Sequence, residues 1–314
     1  MKKDVMIING VPVQMNKTGG VADRAWFRII MYVLMSIIGI ILIIPFVSMI
    51  MKTFFTAADV DAGIFQFFPT EIQWQNYKAF FNREFTTEWN SSLKGLEFSF
   101  GEALTNTLIV AVFNLVAVPL SATFVAYGFA RCEFVGKKAL FAFMLSTMML
   151  PAVVTQLPLY GFYNKINWLD TLYPLTIPNI TGGGAMYIFL ARSFIQSLPR
   201  EIDNAAKIDG AGALRRYFSI TLPLCKPIII YIMVGIFNTA WGDFYTPLVW
   251  STNPNEAPAT LALAIYNNLT YLTDIYMVMI KMVAGVVLSI VPTVLFFVFQ
   301  KQLVEGVAMD GLKG

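Results

Sequence analysis

The sequence predicts an all-α membrane protein with six transmembrane helices, on three observations. Only 13% of the 314 residues are charged while 57% are hydrophobic, and the mean hydropathy is +0.65. A soluble domain carries about 25% charged residues, and a surface of this size needs them to stay dispersed. The apolar residues lie in long blocks, which makes lipid their natural solvent. The basic residues gather between alternate blocks, a pattern that orients a chain in a bilayer.

Taken in order, residues 1–28 form a polar N-terminal tail. The first apolar block, 29–51, carries no charge. At about 1.5 Å per residue it reaches roughly 35 Å, enough for a hydrocarbon core of about 30 Å. It starts too late and runs too long for a signal-peptide core, so it reads as a retained span. Residues 52–103 form an aromatic and acidic loop, with Phe65-Gln66-Phe67-Phe68-Pro69 and Trp74-Gln75-Asn76-Tyr77. It is long for a bare connector and is expected to fold back on the membrane with a short helix at 72–81. Residues 104–300 form a five-helix core, with spans at 104–130, 139–160, 174–194, 228–250 and 276–299. Pro178 and Gly182-Gly183-Gly184 interrupt the fourth; such breaks are tolerated where neighbouring helices satisfy the backbone. In that apolar setting the glycines point to close helix packing rather than phosphate binding. Residues 301–314 form a C-terminal tail.

The charges set the orientation. Lys2, Lys3, Lys17, Arg24 and Arg28 precede the first span; Arg131, Lys137 and Lys138 follow the second; Arg192, Arg200, Lys207, Arg215, Arg216 and Lys226 follow the fourth; Lys301 and Lys313 follow the sixth. The loop after the first span is acidic, and 251–275 has no basic residue. The positive-inside rule therefore places both termini and the 198–227 segment in the cytoplasm. Trp26, Trp168, Tyr173 and Trp250 sit where interface anchors belong.

Several functions are excluded. The chain has no histidine, which removes His-based acid–base chemistry and HExxH metal sites. Its two cysteines, Cys132 and Cys225, do not make a disulfide framework and read as structural. The net charge of +3 is too small to indicate nucleic acid. No G-x-x-x-x-G-K-[ST] pattern occurs; Gly136-Lys137-Lys138 lacks the earlier glycine and the Ser/Thr.

The segment 198–227 is too polar to span and too regular for a linker. Pro199 suits the N1 position of a helix, and Glu201 and Asp203 fall in a first turn that favours acids. Ile202, Ala205, Ala206 and Asp209 share a small, mostly apolar face. Gly210 breaks the helix. A second short helix runs through Arg215, Arg216 and Phe218, and Leu222-Pro223 and Pro227 end it. The result is a stiff elbow suited to passing force from a soluble partner.

This segment resembles the EAA loop of ABC importer permeases: Asn204-Ala205-Ala206, three residues, Gly210, nine residues, Ile220-Thr221-Leu222-Pro223, strengthened by Asp209-Gly210-Ala211. Trp241-Gly242-Asp243-Phe244 with Pro247-Leu248, and the tail from Gly306 to Gly311-Leu312-Lys313-Gly314, are similar to the carbohydrate branch, of the second maltose-permease-subunit type. The resemblance implies the type I ABC importer permease fold in a bacterial inner membrane, with cytoplasmic EAA coupling helices. It implies a second permease subunit, two ATPase subunits that bind ATP and magnesium, and an extracytoplasmic solute-binding protein, with no cofactor in this chain. It also implies that Gly311, Lys313 and Gly314 reach the ATPase interface and that 251–271 faces the binding protein. The chain departs from the pattern at Asn204, where the family has Glu; Glu201 or Asp203 is left to supply the charge.

A sugar path needs aromatic faces and hydrogen-bonding groups without strong charge. Asn238, Thr239, Trp241, Asp243 and Tyr245 fit this need, with Asn106 and Asn179 as further candidates and helix–helix hydrogen bonding as the alternative role. Asp243 and Lys281 are charges within spans, where charge points to function; Lys281, near a span end, can snorkel. An ion-coupled transporter or channel would usually show more intramembrane acids or an inverted repeat. An intramembrane enzyme would need clustered carboxylates. Peptide, polyamine or phosphate cargo would keep the ABC family, but the resemblance of the Trp241–Leu248 stretch and of the glycine-ended tail to the carbohydrate branch argues against it.

Overall fold

The computed structural model describes residues 5–8, 11–14, 25–63, 66–82, 99–253, 257–269 and 277–311. It is mostly helical, with one correction to the all-α expectation. Strands β1 (Val5–Ile8) and β2 (Val11–Gln14) pair antiparallel, with Ile8 opposite Val11. Asn9-Gly10 separates them in sequence, the dipeptide that most favours a two-residue hairpin turn. That signal lay in the segment read only as a polar tail.

Helix α1 (Ala25–Lys52) contains the first apolar block, and none of its span window is buried in the protein. Its apolar perimeter therefore faces its surroundings. Two short helices follow, α2 (Ala57–Asp61) and α3 (Gln75–Asn82), the second close to the expected helix at 72–81. Asn76 ties α3 to the end of α1, its Nδ2 donating to the carbonyls of Thr53 and Phe55 at 2.9 Å each. Asp59, 1% exposed, accepts from the backbone and hydroxyl of both Thr56 and Thr70.

Helix α4 (Phe100–Arg131) is the hub of the core. Its buried face is built from small residues, among them Ala111, Ala122, Ala126 and Ala130, which let neighbouring helices approach closely. It packs against α8 (Ala185–Ser197) and α12 (Lys226–Gly242) in one cluster with Ile188, Ile195, Ile232 and Ile236.

The third block does not form one straight span. Helix α5 (Lys137–Ser146), a 3-10 turn (Thr147–Met149) and α6 (Ala152–Lys165) are bent by 99° at Pro151. Leu150 is extended, at φ −79 and ψ 123, the conformation that a following proline imposes. The fourth block is broken as its sequence suggested: α7 (Tyr173–Thr176), a 3-10 turn (Ile177–Thr181), then Gly182, Gly183 and Gly184, all at positive φ, before α8. A Cβ on Gly183 would overlap the Val118 side chain of α4, so this glycine does allow close packing.

After α8 come α9 (Arg200–Ile208), α10 (Ala213–Arg216), a π-helical turn (Tyr217–Thr221) and α11 (Leu222–Leu224), followed by a 75° bend into α12. The fifth span stops at Gly242 instead of 250. Asp243 is extended and α13 (Tyr245–Val249) follows. Helix α14 (Leu261–Leu269) was not expected. Its first N–H donates to Thr107 Oγ1 of α4 at 2.7 Å, and Leu261, Ala262, Leu263 and Ala264 are buried. Helix α15 (Met277–Gly311) runs beyond 299 into the expected tail.

Among the described residues three helices, within α1, α4 and α15, are long and apolar enough to cross a bilayer outright, and two bent pairs raise the number to five. A multi-pass membrane protein is therefore present.

Candidate functional site

Two regions carry the chemistry, an elbow at one end of α12 and a cavity near its other end. The elbow begins where Leu198 turns extended ahead of Pro199. Pro199 is the N-cap of α9, not the expected N1 residue, and Arg200 takes that place. Glu201, Asn204, Ala205 and Ile208 are spaced to share one face, and all four are exposed, Ile208 by 87%. The expected face of Ile202, Ala205, Ala206 and Asp209 is split, because Ala206 is buried while the others are exposed. Gly210 ends the helix at φ +79, a conformation that costs glycine little. Farther along, Ile220 and Leu222 are half-buried and Pro223 is exposed.

Three anchors hold this elbow to the bundle. Arg131 at the end of α4 donates through Nη2 to the carbonyls of Ile195 and Leu198, at 2.9 and 2.8 Å. Asp203 turns inward, and its Oδ1 lies 3.4 Å from Arg216 Nε, with the two side chains 17% and 11% exposed. Asp203 is thus committed inside the chain, and of the two acids considered for an external contact Glu201 is the exposed one. Tyr217 is the third anchor and was missed in the sequence. It is 1% exposed, donates to the Leu120 carbonyl at 3.1 Å, and lies 2.9 Å from Thr123 Oγ1. Phe124, Tyr127 and Phe218 surround its ring. An aromatic residue inside a polar, non-spanning stretch was the available signal. It sits in the π-helical turn, a form common at functional positions.

The cavity has a volume of about 340 Å³ and is lined by Asn114, Asn179, Thr239, Asp243, Thr246 and Thr260, among apolar neighbours. That volume lies in the range of small-ligand sites. Asn114 donates to the Leu175 carbonyl at 2.9 Å and accepts from Asn179 Nδ2 at 3.1 Å, which braces the broken fourth segment against α4. The break after Gly242 leaves Asp243 half-buried, and its Oδ1 accepts from the Thr246 N–H in the first turn of α13 at 3.0 Å. Thr260 is 2% exposed, and among the described residues its hydroxyl has no hydrogen-bond partner. A buried hydroxyl without a partner is costly, so this wall is suited to a polar ligand. None of the described lining residues is basic.

Of the expected path residues, Thr239, Asp243 and Asn179 line the cavity. Trp241 faces the opposite side, buried, with Nε1 donating to the Leu288 carbonyl at 2.8 Å. Asn238 and Tyr245 are exposed, and Tyr245 Oη bonds to Gln156 at 3.1 Å. Asn106 bonds to the Ala259 carbonyl at 3.1 Å. Asn114, Thr246 and Thr260 were missed: the break at Asp243 resets the side that Thr246 faces, while Asn114 on α4 and Thr260 before α14 reach the cavity from other elements. Gly311 ends α15, whereas Lys313 and Gly314 lie outside the described residues.

Residues 120–308 match the family described as binding-protein-dependent transport system inner membrane component. The chain is 31% identical over 269 residues to a probable ABC transporter permease protein of Pyrococcus horikoshii, covering 86% of this chain and 92% of that one. It is 31% identical to the maltodextrin transport system permease protein MdxG of Bacillus subtilis, over 75% of this chain and 85% of the relative. Its fold is similar to a chain in the crystal structure of a bacterial ABC transporter involved in the import of the acidic polysaccharide alginate. The TM-score is 0.70 at 19% identity, covering 90% of this chain and 97% of the other.

Proposed function

The chain belongs to the family of binding-protein-dependent transport system inner membrane components, and from that premise we propose that it forms half of the translocation path of a carbohydrate importer. The family is one of transport subunits, so the chain is not an enzyme. In this reading it crosses the inner membrane six times with both termini in the cytoplasm. The interrupted segment from α7 to α8 supplies the sixth crossing. A second permease completes the pore, an extracytoplasmic solute-binding protein delivers the sugar, and two ATPase subunits bind ATP and magnesium.

The observation that carries the proposal is the elbow. Its outward face, Glu201, Asn204, Ala205 and Ile208, is exposed while its root is fixed by Arg131, the Asp203–Arg216 pair and Tyr217. A knob on a rigid root transmits a push; a knob on a soft one absorbs it. With Asp203 paired internally and Asn204 uncharged, Ile208 provides the apolar contact to the ATPase and Glu201 the charged one. Closure of the ATPase pair would press the elbow and rock the helices that continue from it.

The sugar assignment rests on the maltodextrin permease relative and on the cavity. Asp243 and Thr260 offer an acceptor and an unpartnered hydroxyl, groups that suit a neutral polyol. Among the described lining residues Asp243 has no basic neighbour, which favours a neutral sugar over an acidic one. The test is affinity purification of the tagged chain after gentle solubilisation, together with uptake of labelled maltotriose. An ATPase should co-purify, and Ile208→Asp should lower uptake by more than about tenfold, as expected for the loss of a buried hot-spot contact. Recovery of the chain without an ATPase, or uptake that survives ATP depletion but not an uncoupler, would overturn the coupling role.

A further inference from the structure

We propose that the cleft at the start of α5 is a headgroup site for an anionic phospholipid. The cleft holds about 760 Å³ and is lined by Phe129, Glu133, Lys137, Lys138, Phe141 and Arg192, among others. It contains the Gly136-Lys137-Lys138 sequence that fails as a nucleotide loop. Three cations against one carboxylate leave two positive charges. Glu133 is already taken by Lys137, whose Nζ lies 3.1 Å from Glu133 Oε1 and donates to the Cys132 carbonyl at 2.7 Å. Glu133 is 88% exposed, so the pair itself adds little, and Lys138 and Arg192 are left to face a ligand.

Two further features point to an anion. The Arg192 guanidinium carbon lies 4.0 Å from the centroid of the Phe141 ring, which holds the group in place, yet its buried Nε has no hydrogen-bond partner among the described residues. A buried charged donor left unmatched is costly; a phosphate oxygen in the cleft would satisfy it. Helix α5 has Gly136, φ +80, as its N-cap, and among the described residues no side chain caps its first turn. The Lys137 N–H is taken by the Phe134 carbonyl, and the dipole of the helix favours a negative group at the same place.

The surroundings select a lipid over a soluble phosphate. Phe129, Phe141, Ala142 and Leu145 supply apolar wall, and the adjoining surface exposes Phe134, Leu140 and Phe143. A headgroup that brings its own acyl chains covers both parts, whereas free phosphate covers only the first. The position agrees with the cytoplasmic placement of the 131–138 loop, the side on which basic clefts between helices take anionic headgroups. The cargo has no bearing on this site, which lies apart from the cavity beside Asp243.

The test uses the complete transporter complex in nanodiscs with equal phosphatidylcholine and phosphatidylglycerol, followed by native mass spectrometry of retained lipid. Phosphatidylglycerol should be retained in preference to phosphatidylcholine. Lys138→Gln and Arg192→Gln should each lower its retention about fivefold, the effect of one basic residue near a charged membrane. Arg192→Lys should keep most of it, which separates lost charge from misfolding. Lys226→Gln, exposed and expected on the same membrane side, should change nothing. Equal retention of both lipids, or an equal loss in Lys226→Gln, overturns the site. If inorganic phosphate stabilises the wild type but not Arg192→Gln while phosphatidylglycerol retention is the same in both, the cleft takes soluble phosphate and the lipid assignment falls.

Discussion

The two ends of the stretch from α9 to α13 are fastened by different chemistry. At the elbow the fastening is buried: Tyr217 in an aromatic cluster, an enclosed Asp203–Arg216 pair, and Arg131 reaching two carbonyls. At the other end it is a more accessible carboxylate. Asp170, in the left-handed region at φ 58, accepts from the Thr252 hydroxyl and from the N–H groups of Thr252 and Asn253, and its own N–H donates to the Trp250 carbonyl at 3.0 Å. Tyr163 stacks on Trp168 and meets Trp250 edge-on beside it. Buried anchoring resists load and is insensitive to solvent. Anchoring on an accessible carboxylate can be released by conditions outside the protein.

The contrast breaks most sharply at Tyr217. Tyr217→Ala should cost about 3–5 kcal/mol, the penalty for emptying a well-packed aromatic site, measured as a loss of thermal stability in detergent. A cost below about 1 kcal/mol would mean that the elbow root is soft. Midway along the bundle, Gly183→Ala should cost about 1–3 kcal/mol from overpacking against Val118, in the same assay. A double-mutant cycle of Asp203→Ala and Arg216→Ala should give a coupling of about 1–2 kcal/mol; additive effects would show that the pair contributes nothing at the elbow.

The smallest effect belongs to Asp170. The Thr252 hydroxyl, partly opposed by burial and then aided by the amides of Thr252 and Asn253, holds its carboxyl below the usual carboxylate range. Its folded value is thus depressed. The stabilisation is fully present above the unfolded pKa of about 3.9 and disappears as pH falls through the lower folded value. Asp170→Asn should lower stability by about 1 kcal/mol at neutral pH and flatten the acid limb of a melting-temperature profile below about pH 4. An unchanged acid limb would show that this latch does not fasten the α13 end.

The spans were legible because lipid makes hydropathy the main requirement, and α1, α4 and α15 meet it in uninterrupted runs. The breaks were harder to read. Pro45, Pro119, Pro158 and Pro292 all remain inside helices, while Pro151 bends its block by 99°. The residue type was visible, but whether a neighbour compensates for the missing N–H was not. The elbow could be read from polarity and spacing, yet the inward turn of Asp203 depends on Arg216 thirteen positions later. The cavity was legible only in part, since Trp241 and Thr239 lie two residues apart and face opposite sides. Thr260 reaches that cavity from a loop that carried no spanning signal.

Helix α1 gives almost its entire perimeter to its surroundings. A tight seat is Met49 against Gly285 of α15, where an added Cβ would lie 2.9 Å from the sulfur. Elsewhere along its length, selection can act on little besides greasiness and reach. A library that scrambles the apolar residues of α1 while keeping Met49 should give mostly working proteins, whereas the same shuffling applied to α4 should give almost none.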